Sequence, residues 1–145
     1  SWSRGLGDVY KRQMVGIAHG LGYGDNFLSV LISHCSKEMS DFIKDVHKTN
    51  RKINQSAYLG DLLVTTYSSF SRNRTFGNMI GKGYSIKSAK AEMNMIVEGY
   101  YATKNAFMLS KKLSTKFLII DFCHKILFEN KSASRQMKEL SKNLY

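Results

Sequence analysis

The stretch Gly60–Gly83, GDLLVTTYSSFSRNRTFGNMIGKG, decides how the rest of the chain is read. An acid, Asp61, opens an apolar run, and a polar patch of Ser68, Ser69 and Ser71 leads into the cluster Arg72-Asn73-Arg74. Ser71 is a good helix N-cap, because a serine hydroxyl accepts an amide hydrogen that the first turn leaves unpaired. Arg72 and Asn73 then fall in that first turn, where free N–H groups and the positive end of the helix dipole favour an anion. The expected guest is a phosphate. Residues two apart diverge by about 200° around a helix, so Arg72 and Arg74 cannot both face it. Phe76, Met79 and Ile80 form the apolar side of this helix, and Gly81-Lys82-Gly83 ends it.

Outward from this centre the chain reads as helices alone. Residues 14–18 look like the end of a helix, and the turn His19–Asn26, HGLGYGDN, follows. No strand precedes it and it is not GxGxxG, so its glycines serve to turn and pack the backbone, with Asp25 or Asn26 capping the next helix. His19 is read as structural or exposed. From Phe27 to Lys48, apolar residues at Phe27, Val30, Leu31, Cys35, Met39, Phe42, Ile43 and Val46 step by three and four, which makes one buried face. Thr49–Gln55 is a polar connector, and Leu62–Tyr67 a short helix that Asp61 could merely cap.

After Gly83 the reading gives a helix over 85–95 with Ser85 as cap and Ala89 buried, then a junction over 96–99. Glu98 there is by type an acid favoured at a helix N-terminus. A helix over 100–113 follows, with Tyr101, Ala102, Ala106, Leu109 and Leu113 inward and its aromatics in the core. Helices over 119–128 and 132–144 complete the chain, and Asn130 between them tolerates the left-handed conformation that stops a helix. The fold class expected is all-α, a compact multi-helix domain.

At 145 residues the chain can bury roughly two thirds of its unfolded surface in one domain. It carries 22 basic and 11 acidic residues, a net charge of +11, which suggests an anionic partner. The absence of proline and the wealth of Lys, Asn and Ile fit AT-rich coding equally well, so charge alone does not name that partner. Cys35 and Cys123 lie far apart among apolar residues and read as reduced core thiols. His34 and His47 have no acid or thiol at metal-ligand spacing, so no metal site is expected. No apolar run approaches the roughly 20 residues that cross a bilayer, and nothing resembles a secretory signal, so no membrane insertion and a cytoplasmic setting are expected.

The central stretch resembles the substrate-binding segment of the bacterial-type NAD(P)-dependent glycerol-3-phosphate dehydrogenases, whose pattern runs GLGDL, a Thr-rich run, then SRNRxFG. Residues 16–26 are similar to the family's AGIxxGLGxGDN, and Ile96-Val97-Glu98-Gly99 to its VVEG, in the same order and at about the same spacing. The resemblance covers about 14–145 and implies the helical C-terminal domain of a two-domain enzyme whose dinucleotide-binding domain comes first. It implies that Arg72, Asn73 and Ser71 hold the phosphate of sn-glycerol 3-phosphate and that Asp61 faces its hydroxyl end, with Thr65 a weaker candidate. It further implies that Ile96, Glu98 and Arg72 reach the NAD or NADP cofactor. The reaction implied is hydride transfer giving dihydroxyacetone phosphate for glycerophospholipid synthesis, in a full-length homodimer. Departures from the pattern are Ile96 for its first Val, Phe117-Leu118 for its Met-Pro and Asn130 for its Gly.

Residues 1–13, SWSRGLGDVYKRQ, do not belong to the family pattern. They read as a non-native tail, expected to be disordered, with the domain over 14–145. The resemblance puts the general-base lysine about two turns before Gly16, where Asp8 stands, and Lys11 is out of register. No residue of this chain therefore takes that role, and the chain alone is expected to be inactive. Two other readings compete: a small basic helical module that binds nucleic acid, and a non-catalytic dimerisation remnant. Against the first, basic residues are spread along the chain in runs no longer than two, with no nucleic-acid motif.

Overall fold

The computed structural model describes residues 2–49, 70–93, 98–113 and 115–144. These form seven helices: α1 Trp2–Gly20, α2 Asp25–Thr49, α3 Phe70–Gly81, α4 Ile86–Met93, α5 Glu98–Ser110, α6 Leu118–Phe128 and α7 Ala133–Leu144. The all-α reading is correct. The helix expected over 62–67 lies outside the described residues.

Four glycines set the centre of the fold. Gly16 and Gly20 are four apart on α1, and Gly77 and Gly81 are four apart on α3, so each pair shares one helix face. A methyl group placed on Gly16 would strike the Arg74 carbonyl oxygen, and one on Gly20 that of Asn78. The contact is reciprocal, with Gly77 against the Gln13 carbonyl and Gly81 against that of Ile17. Glycine is the residue that permits this approach, because any Cβ would hold the two backbones apart. His19 Nδ1 lies 3.0 Å from Asn78 Oδ1 across the same seam.

The loops follow from backbone chemistry. Gly22 has φ +92° and Gly83 φ +102°, a region open to glycine at little cost. Each closes a helix in the same way: Tyr23 N–H donates to Ala18 O and Gly22 N–H to His19 O, while Tyr84 N–H donates to Met79 O and Gly83 N–H to Ile80 O. Asn130 stands at φ +54° between α6 and α7, in the left-handed region as its type allows. Ser85 caps α4 by accepting the Ser88 amide hydrogen at 3.1 Å.

The core is apolar and continuous. Leu31, Cys35, Met39, Phe42 and Val46 form the buried face of α2, joined by Met14, Ile17 and Ala18 of α1 and by Ile119, Ile120, Cys123, Ile126 and Leu127 of α6. Phe42 meets Phe117 edge to face at 5.4 Å between ring centroids, and Phe76 meets Tyr100 the same way at 6.3 Å. Ala89 is buried, as its place on α4 requires.

Two expectations change. Residues 2–13 are helical and continuous with the family-like segment in α1, where disorder was expected. Gln13 of that helix is 1% exposed and its Nε2 donates to Thr103 Oγ1 at 3.1 Å. Tyr101, expected inward, is 40% exposed. The inner stripe of α5 instead runs Thr103, Ala106, Leu109 and Ser110, because Gln13 satisfies the Thr103 hydroxyl and makes a polar residue acceptable in the core.

Candidate functional site

The Ser-Arg-Asn-Arg cluster occupies the start of α3. The helix is already formed at Phe70, so Ser71 lies inside the first turn and is not its cap. Ser71, Arg72 and Asn73 thus all sit in the first turn of α3. No acidic residue stands in that turn to occupy the dipole's positive end. One turn later the glycine seam begins at Gly77, so the cluster is mounted on the closely packed α1–α3 pair.

Asn73 is fully buried and already engaged within the protein. Arg74 is half-buried and lines a cavity of about 280 Å³ with Lys11, Arg12, Val15 and Ile32. Arg74 thus faces the groove beside α1 and α2. Glu98 is the first residue of α5, where a carboxylate is favoured by the dipole. Asp61, Thr65 and Ile96 lie outside the described residues.

The glycine-rich turn after α1 holds no anion cradle. Gly20 packs on α3, Gly22 supplies the turn, and Gly24 accepts the Leu28 amide hydrogen at the start of α2. Among the described residues no group of three or more His, Cys, Asp or Glu could hold a metal ion. None of the described helices is long and apolar enough to cross a membrane.

Cys35 and Cys123 are free and buried. Burial pushes both thiols well above the ordinary range, so neither is a nucleophile in the folded protein. Cys123 Sγ lies 3.2 Å from Met14 Sδ, a packing contact between α6 and α1.

One polar residue went unnoticed in the sequence. Glu38 of α2 accepts the Ile119 amide hydrogen at 2.8 Å and the Ile120 amide hydrogen at 2.9 Å, closing the first turn of α6. Burial and the nearby Asp121 carboxylate push Glu38 up to about 7, against the lowering effect of those amide bonds. Its partners are 81 and 82 residues away, so no local motif announces the contact.

A family described as "NAD-dependent glycerol-3-phosphate dehydrogenase C-terminus" matches residues 13–138. The chain is 41% identical over 125 residues to a glycerol-3-phosphate dehydrogenase [NAD(P)+] of Fusobacterium nucleatum, covering 86% of this chain and 37% of that protein. It is 38% identical over 125 residues to the protein of the same name in Bacillus licheniformis, covering 36% of it. The crystal structure of glycerol-3-phosphate dehydrogenase from Coxiella burnetii superimposes with a TM-score of 0.72 at 26% identity, over 96% of this chain and 42% of that one. The chain thus spans well under half the length of the relatives it matches.

Proposed function

Because the chain belongs to the C-terminal family of the NAD-dependent glycerol-3-phosphate dehydrogenases, we propose that it is the substrate-binding part of such an enzyme. The observation that carries this reading is the placement of Ser71, Arg72 and Asn73 together in the first turn of α3, immediately before the glycine seam. The chemistry of that set suits a phosphate: a guanidinium able to make two parallel bonds, at a helix start whose first turn carries no acid.

Arg72, with Asn73 and Ser71, holds the phosphate of sn-glycerol 3-phosphate, and Asp61 hydrogen-bonds the hydroxyl end. Ile96 and Glu98 serve the NAD or NADP side, and Arg72 reaches towards the cofactor phosphates. When bound, the nicotinamide exchanges a hydride with C2 of the substrate, giving dihydroxyacetone phosphate. This chain contributes orientation and charge to that exchange. It does not contribute the general base, since Asp8 stands where the family resemblance places a lysine. The same reading makes 14–145 the native helical unit, places the protein in the cytoplasm, and has two copies of the full-length enzyme associate.

Calorimetric titration with sn-glycerol 3-phosphate tests the phosphate assignment. Arg72→Ala should weaken binding roughly ten- to hundredfold, the range for a charged hydrogen bond. Equal binding by both proteins overturns it. Steeply salt-dependent capture of DNA, with no response to the phosphorylated triol, would favour the nucleic-acid reading instead.

A further inference from the structure

The opening of α6 lacks a cap of its own. Phe117 precedes it at φ −115°, ψ 105°, and makes no side-chain cap bond. Unpaired amide hydrogens at a helix start need an acceptor when the element is packed into a protein. Here the acceptor comes from another helix, through both oxygens of Glu38. The tie fixes more than one turn. Phe117 is 3% exposed and packs edge to face on Phe42 of α2, so α2 and α6 are joined twice within a few residues, once by ring contact and once by carboxylate.

A carboxylate offers two negative oxygens, whereas a carboxylic acid keeps one full acceptor and carries a proton on the other. We propose that Glu38 is a proton-sensitive tie between α2 and α6: ionised, it holds both the Ile119 and the Ile120 amides, and protonated, it gives up one of them. The switched element is the start of α6 and the segment 115–117 before it.

The surroundings suit such a switch. From α6, Asp121 opposes ionisation and Cys123 feels the same charge. From α2, Cys35 is its buried neighbour, while Lys37 and Asp41 pair with each other at 3.8 Å, and the exposure of that pair keeps their fields weak. His34 of α2 and Lys116 from the segment before α6 line the same cleft of about 190 Å³, to which α7 contributes only the uncharged Asn143 and Leu144. No basic group is among the causes that hold Glu38 ionised.

Amide chemical shifts of this chain, followed from about pH 5 to 9, test the proposal. Ile119 and Ile120 should move together along one curve with a midpoint near 7. Glu38→Gln should abolish that curve while leaving remote amides such as Ala89 unchanged. Asp121→Asn keeps the carboxylate and should move the midpoint to lower pH, which provides a second reading if the glutamine variant does not fold. Flat Ile119 and Ile120 shifts, a curve that survives Glu38→Gln, or a midpoint indifferent to Asp121→Asn would each overturn it.

Discussion

Gly16 of α1 lies directly against the carbonyl oxygen of Arg74 in α3, with the amide nitrogen of Asn78 2.9 Å from where a Cβ would stand. Backbone, not side chain, is therefore what each helix meets there. Neither partner can swing away as a rotamer would, and a methyl group must push the helices apart.

Alanine substitutions along this turn separate three physical effects. Gly16→Ala gains up to about 1 kcal/mol of helix propensity but overpacks the seam, and should cost a net 1–3 kcal/mol or roughly that. Gly22→Ala meets nothing within 4 Å yet must hold φ +92°, and should cost about 1–2 kcal/mol through strain alone. Gly24→Ala has open space and should change stability by no more than about 0.5 kcal/mol. Urea midpoints at constant slope measure all three, and equal losses at Gly16 and Gly24 would contradict the seam.

Much of this was legible from residue type and spacing. Gly22 and Gly83 sit where a chain leaving a helix needs positive φ, and Ser85 has the hydroxyl its cap requires. The face of α2 follows from steps of three and four, because one helix stripe must meet the core. The errors share a cause. The apolar ring of Tyr101 predicts an inward position, but the Gln13–Thr103 bond turns Thr103 inward instead, a pairing 90 residues long that no local pattern records. Glu38 escapes notice for the same reason, its partners lying 81 and 82 residues away. At the start of α3, residue type puts Arg72 and Asn73 in the first turn but makes Ser71 its cap, while the burial of Asn73 is a tertiary fact that spacing cannot supply.

Phe42 is fully buried between α2 and the start of α6 and has Phe117 at its edge. Phe42→Ala should destabilise the protein by about 3–5 kcal/mol, the range for deleting a buried ring. Thermal unfolding measures it, and a loss below about 1 kcal/mol would mean that the ring does not anchor α6.

Glu38 should make stability depend on pH in one direction. Its folded value of about 7 exceeds the ordinary 4.5, so the folded protein holds that proton more tightly than the unfolded chain does. The resulting stability is fully present below about pH 4.5 and is lost as pH rises through 7, by at most on the order of 3 kcal/mol. The protonated side chain ties α6 less firmly, yet the whole protein gains because no charge is buried. Unfolding free energies of Glu38→Gln should lack this slope, and an unchanged slope would contradict the assignment.

The two thiols should be silent in the folded state. Cys35 is 1% exposed and Cys123 not at all, and burial disfavours both thiolates. An aromatic disulfide reagent at about pH 8 should label neither cysteine natively and both in denaturant. Rapid native labelling would contradict the packing of α2 on α6.

The account centres on the first turn of α3, and amide shifts of the chain during titration with sn-glycerol 3-phosphate test it most directly. The account predicts that Ser71, Arg72 and Asn73 shift first, that glycerol leaves them in place, and that Arg72→Ala removes the response. Saturable shifts confined to other helices, or the same response in Arg72→Ala, would contradict it.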